Sequence, residues 1–206
     1  MRPAPLPCVF QYMPVFSKRR GQATCKEETA MKAILLLTHI IAAPLIIAAS
    51  AGASDNLAVI EQVGDGHDAR LNQAGQANEA RLTQEGYGHH IELDQIGLEN
   101  ISDIKHLGEF NQGMAAQEGI GNRLYQKTRG SENRSAMVQH GNDNDMSLHQ
   151  HGNANEAQLG QYGDKNTMAP QQIGDNNRLT YTQEGSNLPA LEVRQEGGDT
   201  TEIHQR

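Results

Sequence analysis

Histidine is the residue in this sequence that could most readily bind a metal or transfer a proton. His89 and His90 are adjacent, and His149 and His151 lie two positions apart, shortly after His140. Imidazole nitrogens are common zinc ligands. However, each of these residues occupies a position of a repeat described below, where His149 points outward and His140 and His151 lie at turns. The sequence therefore predicts no metal site.

Catalytic motifs are also missing from the sequence. No GxSxG, HExxH or Gly-rich phosphate loop occurs after residue 53, and the two cysteines, Cys8 and Cys25, both precede it. Acidic residues are scattered in a way that is typical of a solvated outer surface. The sequence predicts neither an enzyme nor a bound cofactor.

The first 53 residues differ in composition from the rest of the chain. The stretch that begins at Met31 has a lysine, an apolar run and small residues that end at Ala53. This pattern predicts a signal peptide over residues 31–53. A membrane anchor is disfavoured because His39 and Pro44 interrupt the apolar run. Residues 1–30 precede this signal and are interpreted as an N-terminal extension from a misassigned start codon.

Residues 54–206 are acidic and contain no cysteine. Their 11 Lys and Arg residues against 23 Asp and Glu residues give a net charge of -12. Such a chain is a poor candidate for binding nucleic acid or an anionic membrane, and its tyrosines are too sparse to form a stacking platform for bases. Without cysteine, its stability cannot depend on disulfides.

An eleven-residue repeat dominates this region. Its turn glycines are Gly64, Gly75, Gly86, Gly97, Gly108, Gly119, Gly130, Gly141, Gly152, Gly163, Gly174 and Gly185. Two positions earlier stand Gln62, Gln73, Gln84, Gln95, Gln117, Gln139, Gln150, Gln161, Gln172 and Gln183, with His106 and Thr128 as exceptions. Three positions later stand Asn78, Asn100, Asn111, Asn122, Asn133, Asn144, Asn155, Asn166 and Asn177, with histidine in the early units at His67 and His89. A fixed period of this length indicates a repeat architecture.

The spacing of apolar residues within each unit identifies the element. Apolar residues lie two apart, as in Ala80 and Leu82 or Ile91 and Leu93. This alternation is typical of a strand with one buried face, whereas a helical coiled coil of eleven-residue period requires intervals of three and four. Each unit is therefore predicted to be a short strand, NxAxLxQ, followed by a turn at the glycine, where a positive φ is allowed.

Outward charges set the length of one coil. At a separation of two repeat units, opposite charges face each other, as in Arg70 with Glu92 or Arg123 with Asp145, whereas at one repeat unit like charges would meet. The main exception is Lys105 over Lys127. The sequence predicts an all-β solenoid of about seven 22-residue coils with two short strands per coil, a rod on the order of 30 to 35 Å long.

Stacked amides are expected to hold these coils together. Each inward Gln or Asn can donate to one copy and accept from the other, which satisfies a buried amide. One face carries glutamine without a gap up to Gln205, whereas the other has His106, Thr128, Gln126 at a leucine position and Pro170 within a strand. A one-residue insertion near Pro189 shifts the frame before the pattern resumes with Gln195.

The two ends of the stack are predicted to be open. Solenoids that stay monomeric cover their ends with atypical capping repeats. Here the repeat begins at Asn56 and continues to Gln205, which leaves no room for a cap. Open strand edges recruit further strands. The predicted self-assembly ends are Ala58, Ile60 and Gln62 at one end and Thr201, Ile203 and Gln205 at the other.

The motif AxLxQxGxxNxAxLxQxG, as in residues 69–86, closely resembles the repeat of the curlins, the subunits of bacterial curli fibres. This resemblance covers residues 56–206. It implies a secreted functional amyloid at the cell surface of a Gram-negative bacterium, where curli serve the biofilm matrix, adhesion and cell aggregation. The implied partners are other curlin subunits, an outer-membrane export channel and its accessory proteins.

Two features refine the resemblance. The C-terminal TEIHQR and the lack of serine at the Asn position look more like the minor, nucleating curlin than the major subunit. Known curlins carry a Gly- and Asn-rich targeting segment before the first repeat, and here only Ser54 and Asp55 stand there. The alternative prediction is a monomeric secreted solenoid that binds a surface or a carbohydrate, although outward threonine ranks and calcium-binding GGxGxDxUx repeats are absent.

Overall fold

The computed structural model describes residues 40–41, 45–49 and 55–206. The predicted N-terminal extension, residues 1–30, and much of the predicted signal peptide lie outside the described residues. Within the described part of the chain there is no helix long and apolar enough to span a membrane.

The described residues form seventeen β-strands. One sheet, sheet A, contains β1 (Ile40–Ile41), β3 (Leu57–Asp65), β5 (Glu79–Tyr87), β7 (Ile101–Glu109), β9 (Arg123–Ser131), β11 (Asp145–His151), β13 (Thr167–Met168), β14 (Gln171–Ile173) and β16 (Arg194–Glu196). Sheet B contains β2 (Leu45–Ala49), β4 (Asp68–Gln76), β6 (His90–Leu98), β8 (Gln112–Ile120), β10 (Arg134–Asn142), β12 (Glu156–Tyr162), β15 (Arg178–Glu184) and β17 (Thr200–Gln205).

The chain winds as a parallel β-solenoid. From β3 onward, successive strands alternate between sheet A and sheet B, except that β13 and β14 are two pieces of one sheet A strand, and each strand pairs in parallel with the strand one coil further on. Paired residues are two repeat units apart, as in Gln73 opposite Gln95 and Gln84 opposite His106. Seven coils result, numbered here from coil 1 (β3 and β4) to coil 7 (β16 and β17). The predicted fold class and coil length are confirmed.

Sheet A is irregular in its last coils. Between β14 and β16 the register widens by one residue, with Gln171 opposite Arg194, and between β15 and β17 it returns to the regular offset, with Arg178 opposite Thr200. This difference reflects the extra residue predicted near Pro189. Coil 6 has two strand fragments, β13 and β14, on either side of Ala169 and Pro170. Proline has no N–H for the ladder, which explains the interruption.

The core is a narrow column between the two sheets. Side chains at alternate positions point inward, and Ala69, Leu71, Ile91 and Leu93 are almost completely buried. Because the two inner faces interdigitate, the alanine and leucine of each unit leave little free space. This burial explains the period-two pattern of the sequence.

Each corner of the solenoid contains two residues in left-handed or related conformations. The first is the turn glycine, such as Gly141 with φ of 121°. The second lies two positions later and is often not glycine, as at Ala77 (54°), Phe110 (53°) and Lys165 (57°). A left-handed non-glycine residue costs about 1 to 3 kcal/mol. Sequence reasoning anticipated the first position and missed the second.

The turn glycines are also required by the closeness of the coils. A Cβ atom at Gly141 would overlap the carbonyl oxygen of Gly163 in the next coil. By contrast, a Cβ atom at Gly197, which also has a positive φ of 76°, would meet nothing within 4 Å. The stacked glycines therefore let successive corners approach, in addition to permitting the turn.

Two short strands precede coil 1. Ile40–Ile41 pairs with Gly64 and Asp65 of β3, and Leu45–Ala49 pairs with residues 69–73 of β4. Both strands belong to the stretch predicted as signal peptide. In the full chain, this stretch occupies the first edge of sheet B.

Substitution of Gly141 and of Gly197 by alanine distinguishes the two reasons for glycine at a corner, which are the positive φ and the close approach of the next coil. Gly141→Ala combines backbone strain with the overlap on Gly163, and we expect it to lower the free energy of unfolding by about 3 kcal/mol or more. Gly197→Ala introduces strain alone and should cost about 1 kcal/mol. Denaturant unfolding of the unassembled chain measures both. Equal losses at the two positions would show that close stacking does not require the glycine.

Candidate assembly site: the amide ladders and the coil ends

The inward glutamines of sheet B form an unbroken ladder. Six bonds, each from Nε2 of one glutamine to Oε1 of the next, connect Gln73, Gln95, Gln117, Gln139, Gln161, Gln183 and Gln205 at 2.8 to 2.9 Å. Most of these amides also donate to a sheet A carbonyl, as Gln73 does to Leu57 at 3.1 Å. The ladder therefore ties coil to coil and sheet to sheet.

The asparagines form two further ladders along the corners. Asn100 donates from Nδ2 to Oδ1 of Asn78 at 3.1 Å, and Asn133 donates to Asn111 at 2.9 Å. Within their ladders, asparagine amides thus donate toward the preceding coil, whereas glutamine amides donate toward the following one. The same Asn Oδ1 accepts the backbone N–H of the asparagine above it. The glutamine and asparagine ladders thus satisfy buried amides by bonds from coil to coil.

Nearly all of the ladder asparagines also hold the turn of the following coil. Asn144 Nδ2 donates to the carbonyl oxygen of Gly163 at 2.7 Å, and equivalent bonds of 2.7 to 3.3 Å occur from Asn56 to Asn166. The glycine corner and the asparagine are therefore one unit. This contact was not foreseen from the sequence, although the constant spacing between the two residues was the available signal.

The glutamine ladder of sheet A is interrupted in coils 3 and 4. Gln62 donates to Gln84 at 2.7 Å, and Thr128, Gln150, Gln172 and Gln195 continue the ladder with bonds of 2.8 to 3.2 Å. Between these segments lies His106, whose Nε2 accepts from Nε2 of Gln126 at 3.1 Å. Gln126 also donates to Ser135 at 2.6 Å. His106 and Gln126, which both depart from the repeat pattern, thus belong to one buried polar cluster.

This cluster contains the principal electrostatic anomaly of the core. Nδ1 of His106 and Oε1 of Gln126 are buried and have no hydrogen-bond partner. Burial, together with the neighbouring His89 and His90, lowers the pKa of His106 to about 3. Room for the imidazole comes from Gly113, where a Cβ atom would lie 2.9 Å from the ring. The site is therefore weakened locally and is sensitive to acid.

The other histidines do not converge on a ligand. His67 and His89 replace asparagine in a corner ladder and stack with ring centroids 5.1 Å apart. His90 lies 3.2 Å from Asp68, and His140 lies 3.7 Å from Glu118. Residues 40–41, 45–49 and 55–206 contain no group of three or more His, Cys, Asp or Glu that could hold a metal.

Outward charges follow the predicted register. Arg70 lies opposite Glu92, Arg123 lies opposite Asp145, and Glu156 lies opposite Arg178. Arg178 and Glu156 form an ion pair at 3.0 Å, whereas Arg70 pairs with Asp68 on its own strand at 2.9 Å. Exposed pairs contribute about 0 to 1 kcal/mol each. They favour the register but do not supply the main stabilisation.

The two ends of the stack differ in exposure. At the last coil, the inward residues Thr201, Ile203 and Gln205 are only partly buried, because no coil covers them. At the first coil, Ala58 and Ile60 are buried, while Gln62 is partly exposed. The described strand β17 thus presents one edge and one half-exposed apolar side chain, Ile203, to solvent.

Comparison with known families finds a match within the repeat region. Residues 141–169 match the family model described as the curlin associated repeat. This segment of the solenoid is therefore similar to the curlin repeat. The curlin repeat family comprises structural fibre subunits and is not an enzyme family. The matched curlin segment contains Gly141, Gln150 and Gln161, and the same spacing continues on both sides of it. Neither the curated proteins nor the solved structures contain a significant match to the chain.

Acid should destabilise the chain through His106. The folded state keeps His106 neutral until about pH 3, whereas the unfolded chain takes up a proton near pH 6.5. Stability from this residue is complete above pH 6.5 and is lost as the pH falls toward 3. At pH 5 we expect an unfolding free energy about 2 kcal/mol lower than at pH 7.5.

A double variant, His106→Gln with Gln126→Leu, tests this effect. The single variant His140→Gln is its control. The double variant restores the consensus and removes both orphaned atoms, so its unfolding free energy should rise by at least about 1 kcal/mol and lose most of this pH dependence. His140→Gln, on an exposed residue, should leave both unchanged. Denaturant titrations from pH 5 to 7.5 measure the effect. An unaltered pH slope in the double variant would assign the sensitivity to other groups.

Amide exchange should differ between the two sheets. We expect slower exchange in β10, β12 and β15 of sheet B than in β9, β11 and β14 of sheet A, because the sheet A ladder is interrupted at His106 and its strand in coil 6 is broken at Pro170. A tenfold difference corresponds to about 1.4 kcal/mol of local opening. Coil 2 serves as the internal control, since both of its strands, β5 and β6, are unbroken and contain a buried glutamine. Equal protection of both sheets in coils 4 to 6 would contradict this prediction.

Proposed function

We propose that the protein is the structural subunit of a curli-like extracellular amyloid fibre that grows by end-to-end stacking of solenoids. The observation that carries this proposal is the glutamine ladder of sheet B, which continues without a gap to Gln205 in the last strand. A ladder that is unbroken at the end of a stack can be continued by another copy. The fibre then serves the biofilm matrix, adhesion and cell aggregation.

Exposure at the last coil supports this mode of growth. Ile203 faces inward in β17 and is only partly buried, whereas its counterpart one coil earlier, Tyr181, is completely buried. A strand edge and an uncovered apolar side chain at the same end favour addition of another strand. The next subunit would bury Ile203 as the following coil buries Tyr181.

The opposite end supports control of assembly by processing. Leu45–Ala49 pairs with β4 and therefore occupies the first edge of sheet B. Cleavage at Ala53 would remove this strand and free the edge. We assign residues 31–53 to a signal peptide and residues 54–206 to the mature fibre subunit. The sites of action proposed on this basis are the bacterial cell surface and its outer-membrane export channel.

The nucleating role is the more specific part of the proposal. Thr200–Gln205 forms the final strand of sheet B, and its sequence TTEIHQ is in register with β15. An ordered final strand is a ready template for a first incoming subunit. We therefore propose that this chain is the minor subunit, which starts fibres that other curlin subunits extend.

Lysine at Ile203 should block growth without unfolding the chain. Ile203→Lys places an ammonium at a position that is partly solvated in the single chain and fully desolvated in a stacked pair. His204→Lys introduces the same charge at the neighbouring outward position, which remains in solvent after stacking. Thioflavin fluorescence and electron microscopy should detect fibres for the native chain and His204→Lys, with elongation reduced about a hundredfold or more for Ile203→Lys.

Fibre diffraction tests the geometry of the same proposal. Stacked coils require a meridional reflection at about 4.7 to 4.8 Å. Circular dichroism should give the same β-sheet spectrum for both lysine variants, which separates a blocked end from an unfolded chain. Fibres of Ile203→Lys that grow at the native rate would contradict end-to-end stacking. A native chain that stays single at high concentration would favour a monomeric binding solenoid instead.

A further inference from the structure

A cluster of unpaired positive charge lies on the outer face of sheet A. Lys105 is opposite Lys127, and Lys127 is opposite His149, so that three basic side chains stand in one rank across coils 3 to 5. In the adjacent rank, Arg129 is opposite His151. These five residues are called the basic patch below. No residue of the basic patch has an ion-pair partner within 4.0 Å among the described residues.

The patch departs from the charge rule that the rest of the solenoid obeys. Elsewhere stacked charges are opposite, as in Arg81 with Asp103 and Arg123 with Asp145. Like charges directly opposite each other in a sheet are destabilising by a few tenths of a kcal/mol up to about 1 kcal/mol. The fold gains nothing from Lys105 over Lys127. An external anion that lies over both would offset their repulsion.

The surface of the patch is shaped for an extended ligand. Lys127, Arg129, His149 and His151 line a shallow pocket of about 190 Å³. Tyr125 packs against the His149 ring with centroids 5.3 Å apart. The ranks run along the solenoid axis on a flat sheet, so a linear polymer parallel to that axis would meet Lys105 and Lys127 about 4.8 Å apart. The next side chain in this rank is His149, whose pKa is lowered by burial and by Lys127.

Nearby acids offset the patch only in part. Asp103 lies two positions from Lys105 on the same strand, about 7 Å away, and partly offsets its charge. Asp145 precedes His149 by four positions, about 13 Å along a strand. Glu85 borders the patch beside Leu107. At physiological salt, exposed charges farther apart than about 8 Å are largely screened. The negative net charge of the chain therefore acts weakly on a ligand held directly on the basic patch.

We propose that the basic patch binds an acidic polysaccharide, with Lys105 and Lys127 contacting successive carboxylates of a uronate chain and Arg129, beside Lys127 on β9, contacting the same chain from the adjacent rank. The axial spacing of the cations is close to the length of one sugar unit in an extended polysaccharide. Single-stranded nucleic acid fits less well, because base stacking needs several exposed aromatic rings and the patch has only Tyr125, which is already packed on His149. This binding is independent of fibre formation, since one solenoid contains the whole patch.

Binding of fluorescent polygalacturonate to the unassembled full chain tests the proposal. The patch variant is Lys105→Gln, Lys127→Gln and Arg129→Gln together. The control variant is Arg70→Gln, Arg134→Gln and Arg178→Gln, which removes the same charge from the outer face of sheet B. We expect the patch variant to bind at least about tenfold more weakly and with a reduced salt dependence, and the control to bind as the native chain does.

Three results would overturn the proposal. Equal weakening in both variants would show that net charge, and not the patch, determines binding. Equal affinity for uncharged dextran would remove the role of the carboxylates. Equal or tighter patch-dependent binding of single-stranded DNA or polyphosphate would assign the patch to polyanions in general. Circular dichroism of each variant shows whether it is folded. The single variants Lys105→Gln and Lys127→Gln should each lower the affinity for polygalacturonate by about twofold to threefold.

Discussion

The buried side-chain amide, stacked over its own copy one coil away, is the interaction on which the rest of this structure depends. An unpaired buried amide would cost about 1 to 3 kcal/mol, and the narrow core contains one glutamine or asparagine in almost every unit. The amides are satisfied only when glutamine stacks on glutamine and asparagine on asparagine, so stacked strands must be offset by whole repeat units, and the outward charges select an offset of two. The ladder therefore fixes the register, and the register in turn brings the apolar residues and the glycine corners together.

The left-handed corner residues show how this constraint shapes the local backbone. Ala77, Phe110 and Lys165 hold φ values near 55° that these residues rarely adopt. The asparagine that follows each of them by one position bonds to a neighbouring coil, and nearly all of these asparagines also bond to the next glycine carbonyl. Because each corner is held by several such contacts, the backbone conformation is determined by the stack and not by the residue type at the corner.

Much of the fold follows from the sequence, because period, polarity and charge are all expressed there directly. The alternation around Ala80 and Leu82 predicts the strand, and the charges of Arg123 and Asp145 predict the coil. The left-handed residue two positions after each turn glycine cannot be recognised from the sequence. Between Gly66 and Asn187, this position is occupied by glycine only at Gly66, Gly88 and Gly121. The cluster of His106 and Gln126 is equally hidden. Each appears as a separate exception, and only the winding of the chain brings them into contact.

The opposed donation of the two amide types gives the rod a polarity. Each glutamine amide donates to the glutamine oxygen nearer the last coil, whereas each asparagine amide donates to the asparagine oxygen nearer the first. A joint that continues both ladders must therefore be head-to-tail, since an inverted neighbour would set donors against donors. A filament built in this way has chemically unequal tips, and its growth is vectorial.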